Sequence, residues 1–474
     1  MRRRSRQDDQ PLLEAALESG DLVEAGKVLL GIVRSRRDRR ERALACVELA
    51  SLHMLTGDLQ GTDARSALTR ARQLDSAVVA QPLYRALHWE AAALDQAPAR
   101  EVRTALRDFE ADSGTAHYHA ASAHFMVGSK RGALKHLQRA LAAGLPPHVL
   151  WRCHSLKGYV HEQAGQWELA AESIEAALSG APEAERQVEK LALASVLLEL
   201  NEAAQATAVL DSVEDAHLTE LQDRIHRNWL RGRVESQLGN PGLALERFRE
   251  ARALLHTVSD DERPEHYFEP GLILAEAQVL SDLSRHAEAI EAYREALRTD
   301  DAEGRSQTRH ELAVALIDAG ESAAAAAELE LVLLDPDYQY RAEVLSELAD
   351  LAFRGGDSDE AERLARAALE IRPLPSAYLC LGSIAYDYYR LEEAVAMFER
   401  ACDSAGEGDV WWVAAQQLLA DVFAQMGPEQ AERLYQHASV ALRYTGTQTD
   451  WYLPLRAHQE AALAVLSGRT RILN

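Results

Sequence analysis

The 474-residue chain repeats one short pattern along most of its length. From Pro11 to about Tyr444, apolar residues at helical spacing return roughly every 34 to 40 residues, about twelve times in all. A period of that size means stacked supersecondary units, each burying its apolar face against the next, rather than one closed globule. The clearest copy runs from Trp151 to Pro182 and reads WRCHSLKGYVHEQAGQWELAAESIEAALSGAP. In it Gly158, Gly165, Ala170, Ile174, Ala177 and Pro182 form an ordered series: small residue, turn glycine, small residue, large apolar residue, Ala and Pro.

Each unit reads as two antiparallel helices joined by a short turn. The turns are SGDLVEA from Ser19, TGDLQGT from Thr56, VGSKRGA from Val127, AGQWELA from Ala164, LGNPGLA from Leu238, AGESAAA from Ala319, GGDSDEA from Gly355 and MGPEQAE from Met426. Glycine ends a helix because it tolerates left-handed backbone angles, and the Asp, Ser or Pro that follows starts the next. Leu381, Gly382 and Ala385 share one face of a first helix; Ala394, Phe398 and Ala401 share one face of the second. Gly232, Gly239, Ala244, Phe248 and Ala251 follow the same template. Small residues let the two backbones approach, and Phe398 fills the gap toward the next unit. Proline is scarce at 14 residues and no alternating apolar run suggests a sheet, so the class is all-α.

These copies resemble the tetratricopeptide repeat over nearly the whole chain. The resemblance implies a right-handed superhelical solenoid of about twelve helical hairpins with a concave binding face lined by the first helix of each. The departures are local. No copy carries the full Trp–Leu–Gly–Tyr signature, the second unit has extra turn residues around Gln60 to Asp63, and the third, Ala77 to Glu110, lacks a turn glycine. The charged segment Val258 to Pro270 stretches the spacing and is either a long inter-helix loop or a joint within one continuous superhelix; as a joint it separates two arrays, 1–258 with about seven hairpins and 259–474 with about five. Residues 453–466 read as a lone amphipathic helix capping the last repeat, and Ser467 to Asn474 as a frayed end.

The formal charge of −24 disfavours broad nucleic-acid binding, which needs a positive footprint. Residues up to Arg42 are the exception, with eleven Lys or Arg against eight Asp or Glu. The run RSRRDRRER, Arg34 to Arg42, could bind an anion, or could be a solvated helix face paired locally with Asp38 and Glu41. Cys46, Cys153, Cys380 and Cys402 lie far apart with no CxxC, which fits free thiols in a reducing compartment. With no secretory signal and no apolar stretch long enough to span a bilayer, the chain reads as cytoplasmic, without membrane insertion.

Mapping the repeat register places Tyr118, Ser122 and Phe125 toward the groove in the fourth unit. Arg152, Ser155, Tyr159 and Gln163 follow in the fifth, and His226, Trp229, Arg233 and Gln237 in the seventh. Aromatic, arginine and hydrogen-bonding side chains are the chemistry of binding hot spots. Tyr118, Phe125 and Trp229 either line that groove or pack between neighbouring helices. Some proteins with this repeat hold a chaperone's C-terminus with a clamp of Lys, Asn and Arg. Five lysines and four asparagines, Asn201, Asn228, Asn240 and Asn474, do not form it.

No reading of the residues points to catalysis, a cofactor or a metal. His161-Glu162 lacks the second His of a zinc-protease motif, since Gly165 stands at that offset. GSKRG at Gly128 lacks the ending and the strand of a phosphate loop, and RGGDSDEAE at Arg354 lacks the spacing of a calcium loop. His117 and His119 stand two apart on a helix and point in different directions, so they do not share an ion. The expected function is a non-enzymatic scaffold that binds a partner protein or peptide in the groove. The alternative is a regulatory sensor that binds a peptide or small ligand and controls a separate effector.

Overall fold

The computed structural model describes residues 6–35, 38–57, 62–257, 269–299, 305–447 and 449–468. The chain folds as two compact units, Met1–Glu265 and His266–Asn474. The expected joint at Val258 to Pro270 lies outside the described residues, apart from the backbone of Glu269 and Pro270.

The first unit holds seven helical hairpins: α1 Arg6–Ser19 with α2 Leu22–Arg34, α3 Arg39–Leu55 with α4 Thr62–Leu74, α5 Pro82–Leu94 with α6 Ala99–Ala105, α7 Gly114–Met126 with α8 Lys130–Ala143, α9 Pro147–Glu162 with α10 Trp167–Leu178, α11 Glu183–Glu199 with α12 Ala203–Asp211, and α13 Leu221–Gln237 with α14 Pro241–Leu255. The second unit holds five: α15 Glu269–Asp282 with α16 His286–Thr299, α17 Arg305–Asp318 with α18 Ser322–Val332, α19 Arg341–Arg354 with α20 Ser358–Ile371, α21 Pro375–Asp387 with α22 Leu391–Ser404, and α23 Val410–Met426 with α24 Ala431–Tyr444. A last helix, α25 Tyr452–Leu466, lies on α23 and α24, burying Leu455 and Ala462. It occupies the place expected of the cap and is pinned by His458 Nε2, 2.8 Å from Asp421 Oδ1. Each unit is an all-α helical-repeat solenoid.

The turns obey one rule that glycine only partly announces. After α9, Gly165 takes φ +67°, its N–H bonds the Glu162 carbonyl, and the N–H of Gln166 reaches back to His161. That pair of bonds satisfies carbonyls the helix end would otherwise leave bare. Gln96, Asn201, Ser284 and Tyr389 make the same pair of bonds at φ between 55° and 60°. The third hairpin, expected to lack its glycine, is therefore closed by Gln96. Left-handed angles cost an L-residue roughly 1 kcal/mol that glycine avoids. Ser284→Gly and Tyr389→Gly are accordingly expected to raise the melting temperature by a few degrees each, read by calorimetry, since Tyr389 is 80% exposed and loses little packing.

Within hairpins, the small residues do what their spacing suggests. The Phe398 ring is seated on Gly382 of its own hairpin while sharing a core with Leu419 and Phe423 of the next helix. Phe248 sits on Gly232 and Ile174 on Gly158 in the same way. Between hairpins, successive first helices lie against each other, α7 on α9, α11 on α13, α19 on α21 and α21 on α23. The first helices are therefore the inner layer of each curve.

In the first unit the curve closes. Helix α1 meets α9, where His148 Nδ1 lies 3.2 Å from the Leu17 carbonyl oxygen, and Val149 joins the core built by α2 and α3.

Candidate functional site

The inner layer of the first unit divides in two. Over its second to fourth hairpins it is packed shut by a buried polar relay. His119 on α7 places Nδ1 2.6 Å from Glu90 Oε2 on α5 and Nε2 2.8 Å from Ser51 Oγ on α3. None of the three is more than 4% exposed. The order of groups is that of a serine–histidine–acid relay, but the Ser51 hydroxyl is sealed from solvent. Here the relay satisfies three buried polar side chains that would each be costly unpaired, and so fixes three hairpins in register. Sequence reasoning missed it, because Ser51 and His119 are 68 residues apart.

His117 points the other way from the same helix, as two-residue spacing requires. Its Nδ1 lies 3.1 Å from His136 Nδ1 and its Nε2 3.1 Å from the Ala111 carbonyl oxygen. His124 stacks on His136, with ring centroids 5.4 Å apart, and Phe109 meets His136 edge-on. His124 Nδ1 lies against Gly132, where a Cβ would meet it at 2.5 Å, and is buried without a hydrogen-bond partner among the described residues. Among the described residues no three metal-ligating side chains converge on one point. Burial depresses all three histidines, His136 most, to about 3.

Over the last three hairpins of this unit the inner layer is an open wall built by α9, α11 and α13. On α13, Trp229 is flanked by His226, with centroids 5.7 Å apart, and by the Arg233 guanidinium 5.0 Å from its ring centroid. Arg233 also bonds Glu199 of α11 at 2.8 Å, and Gln237 Nε2 donates to the Leu198 carbonyl. Burial and the Arg233 charge push His226 down to about 4. Trp229 and Tyr159 rest partly on the core of α10 to α13. On α9, Ser155 donates to Glu189 of α11, and the Gln163 carbonyl accepts from Lys130 Nζ. Arg152 stacks on Trp151 at 4.2 Å and donates to the His148 carbonyl. Earlier on the coil, Tyr118 lies half-buried between two core clusters and Phe125 packs on α8.

The structure thus brings Tyr159, His226, Trp229 and Arg233 onto one wall, and places Tyr118, Phe125 and Arg152 nearer the closed part of the coil. The carboxylates of that wall were missed. Their signal was present: Ser155 and Glu189 are 34 residues apart, as are Glu199 and Arg233, so partners stand one repeat period apart.

A cavity of about 550 Å³ opens where α1 meets α9. Asp21, Leu22, Leu55, Trp151, Arg152 and Glu185 are among the side chains on its wall. In the basic stretch, Asp38 caps α3 and Arg42 Nε donates to the Val33 carbonyl. Arg36 and Arg37 lie outside the described residues. The cysteines are free, and burial pushes Cys153 and Cys380 up to about 12 and Cys402 up to about 11, far from a reactive thiolate. Among the described residues no helix is long and apolar enough to cross a membrane.

Paired helices, left-handed turns and an inner layer of first helices define the class as a helical-repeat solenoid. Family models described as tetratricopeptide repeat match residues 346–409 and 272–303. The chain thus carries tetratricopeptide repeats, matched by family model over these two stretches of its second unit. Solved structures with a similar fold include the apo quorum sensor NprR from B. thuringiensis, at 14% identity and TM-score 0.47, covering 65% of this chain and 95% of that one. The Cut9-Hcn1 hetero-tetramer of APC/C also matches, at 14% identity and TM-score 0.43, covering 97% of both chains. Pseudomonas aeruginosa pilF matches at 17% identity and TM-score 0.39, covering 50% of this chain and 98% of that one. No curated protein matches the chain.

Proposed function

We propose that the chain is a non-enzymatic scaffold that holds a partner protein or peptide segment against the wall formed by α9, α11 and α13. The observation that carries this reading is Trp229, half-buried between His226 and Arg233 with Tyr159 on the same wall. Trp, Tyr and Arg are enriched among the few residues that dominate measured binding energies. The net charge favours encounter with basic partners and disfavours anionic ones, nucleic acid included. Four free thiols suit a reducing compartment, and we read the protein as cytoplasmic.

The test is affinity capture from native lysate with wild type and a Trp229→Ala, Arg233→Glu double variant. A partner held by wild type should be lost at least tenfold with the variant, while helical content and melting temperature stay within a few degrees. A large fall in melting temperature would make Trp229 and Arg233 core residues and would remove the wall as the binding surface.

The cavity at the α1–α9 contact favours a second reading, a sensor whose small ligand would tie the first hairpin to the fifth. A ligand occupying it at a hundred times its Kd should stabilise the unit by about 2.7 kcal/mol through mass action. A thermal-shift screen with wild type and Arg152→Ala checks this. Hits that shift both equally would place the ligand elsewhere.

A further inference from the structure

The wall that carries the proposed scaffold function has an unbalanced charge. Glu189 on α11 is 4% exposed. Its Oε1 accepts from Ser155, and its Oε2 is buried without a partner. Glu162 lies one turn beyond Tyr159 on α9 and Asp223 in the first turn of α13, both half-buried, and with Glu189 they oppose ionisation of the Tyr159 phenol. Burial raises the carboxyls of Glu189, Glu162 and Asp223; Glu199 adds to the rise at Glu162 and Glu220 to that at Asp223. Of the guanidiniums on these helices, Arg233 is already engaged by Glu199 and stacked on Trp229, and Arg152 is stacked on Trp151 and bonded to the His148 carbonyl. A buried carboxylate with an orphaned oxygen costs several kcal/mol, and a glutamine there would make the same Ser155 bond without the charge. Folding alone gains nothing from the charge.

We infer that Glu162, Asp223 and Glu189 form a receptor for a cationic side chain of a basic partner segment, with Glu162 and Asp223 at its mouth, Tyr159 offering a ring face and Glu189 as its floor. The inference rests on the wall being the partner surface. A guanidinium or ammonium there would meet two accessible carboxylates and an aromatic ring together. It would also balance the field of the third carboxylate beneath them. An acidic segment would meet only repulsion, so the charge sets specificity by exclusion as well as attraction.

The probe is an N-acetylated, C-amidated tetra-arginine peptide, titrated calorimetrically into the full chain at low and at physiological salt. Tetra-lysine and tetra-glutamate peptides run alongside it. Wild type should bind tetra-arginine and tetra-lysine, lose affinity with salt, and ignore tetra-glutamate. Glu162→Gln with Asp223→Asn should weaken tetra-arginine binding at least tenfold. Glu189→Gln should weaken it several-fold while melting at or above the wild-type temperature, because it removes a buried charge and keeps the Ser155 bond. Glu360→Gln, exposed on α20 of the other unit, should change nothing.

Absence of tetra-arginine binding to wild type would overturn the inference, as would binding within twofold of wild type by the folded double variant. The wider reading fails separately. If captured proteins depend on Trp229 and Arg233 but not on these carboxylates, the wall remains the partner surface and the cation receptor is refuted.

Discussion

Gly382→Ala should cost the second unit about 3 kcal/mol, in the upper range for overpacking a core. A Cβ built on Gly382 falls 2.4 Å from Phe398 Cε1, inside any tolerable carbon–carbon contact. The ring has nowhere to go, because Phe398 is fully buried in the core of α21 to α25. Gly232→Ala should behave alike, with Phe248 Cε1 also at 2.4 Å. In contrast, Gly31→Ala in α2 meets nothing within 4 Å and should stabilise by roughly 0.5 to 1 kcal/mol through helix propensity. The clash has a specific remedy. Phe398→Leu alone creates space and destabilises, yet combined with Gly382→Ala it should recover much of the loss, giving a coupling energy above roughly 1 kcal/mol in a double-mutant cycle. Urea denaturation followed by circular dichroism checks these variants, and additive losses would mean that the glycine is not spaced for the ring.

The same pair shows which part of the fold was legible. Gly382 and Phe398 lie within one hairpin, where 3.6-residue periodicity and a single turn decide who meets whom. The hairpin pattern and the capping helix follow from such local rules. The turns were half legible: glycine marks those at Gly165, Gly239 and Gly356, but Gln96, Asn201, Ser284 and Tyr389 take the same backbone angle unannounced. They do so because two backbone hydrogen bonds and the packed hairpin outweigh roughly 1 kcal/mol of local strain. Contacts between hairpins were legible only one period at a time, as Ser155 with Glu189 shows. Those across several hairpins were not. His148 meets Leu17 across 131 residues, a distance set by small rotations that accumulate over four hairpins and that no local motif encodes. The Ser51–Glu90–His119 relay was hidden for that reason, and the candidate carboxylates were hidden among 75 acidic residues, most of which need no partner.

Acid should loosen the first unit well before general carboxylate protonation unfolds it, and the histidine stack is the cause. His117, His124 and His136 are buried, with ordinary unfolded values near 6.5 and folded values lowered by burial, that of His136 to about 3. The charges near them do not reverse the effect: Lys135, Arg139 and Arg103 push further down, and Glu110 opposes only at His117. Each mutual repulsion within the stack counts once for the group, so the three titrate as a unit. A folded histidine held below its unfolded value binds fewer protons than the unfolded chain. Its stabilising contribution is whole above about pH 6.5 and is lost as pH falls toward about 3. For the stack as a whole the loss is on the order of several kcal/mol once the window is crossed. The raised carboxyls of Glu162, Glu189 and Asp223 act with the opposite sign, since their folded forms take up protons first and gain stability as pH falls. A wild-type profile therefore mixes the two, and the difference from a variant isolates the stack. His136→Gln removes the central ring and its titration. Its stability should lie below wild type at about pH 7.5, from lost packing against Phe109 and His117, and should fall less steeply between about pH 6.5 and 4.5. Hydrogen exchange of α7 and α8 over that range locates the effect, and parallel profiles for the two proteins would show that the stack is not the acid-sensitive element.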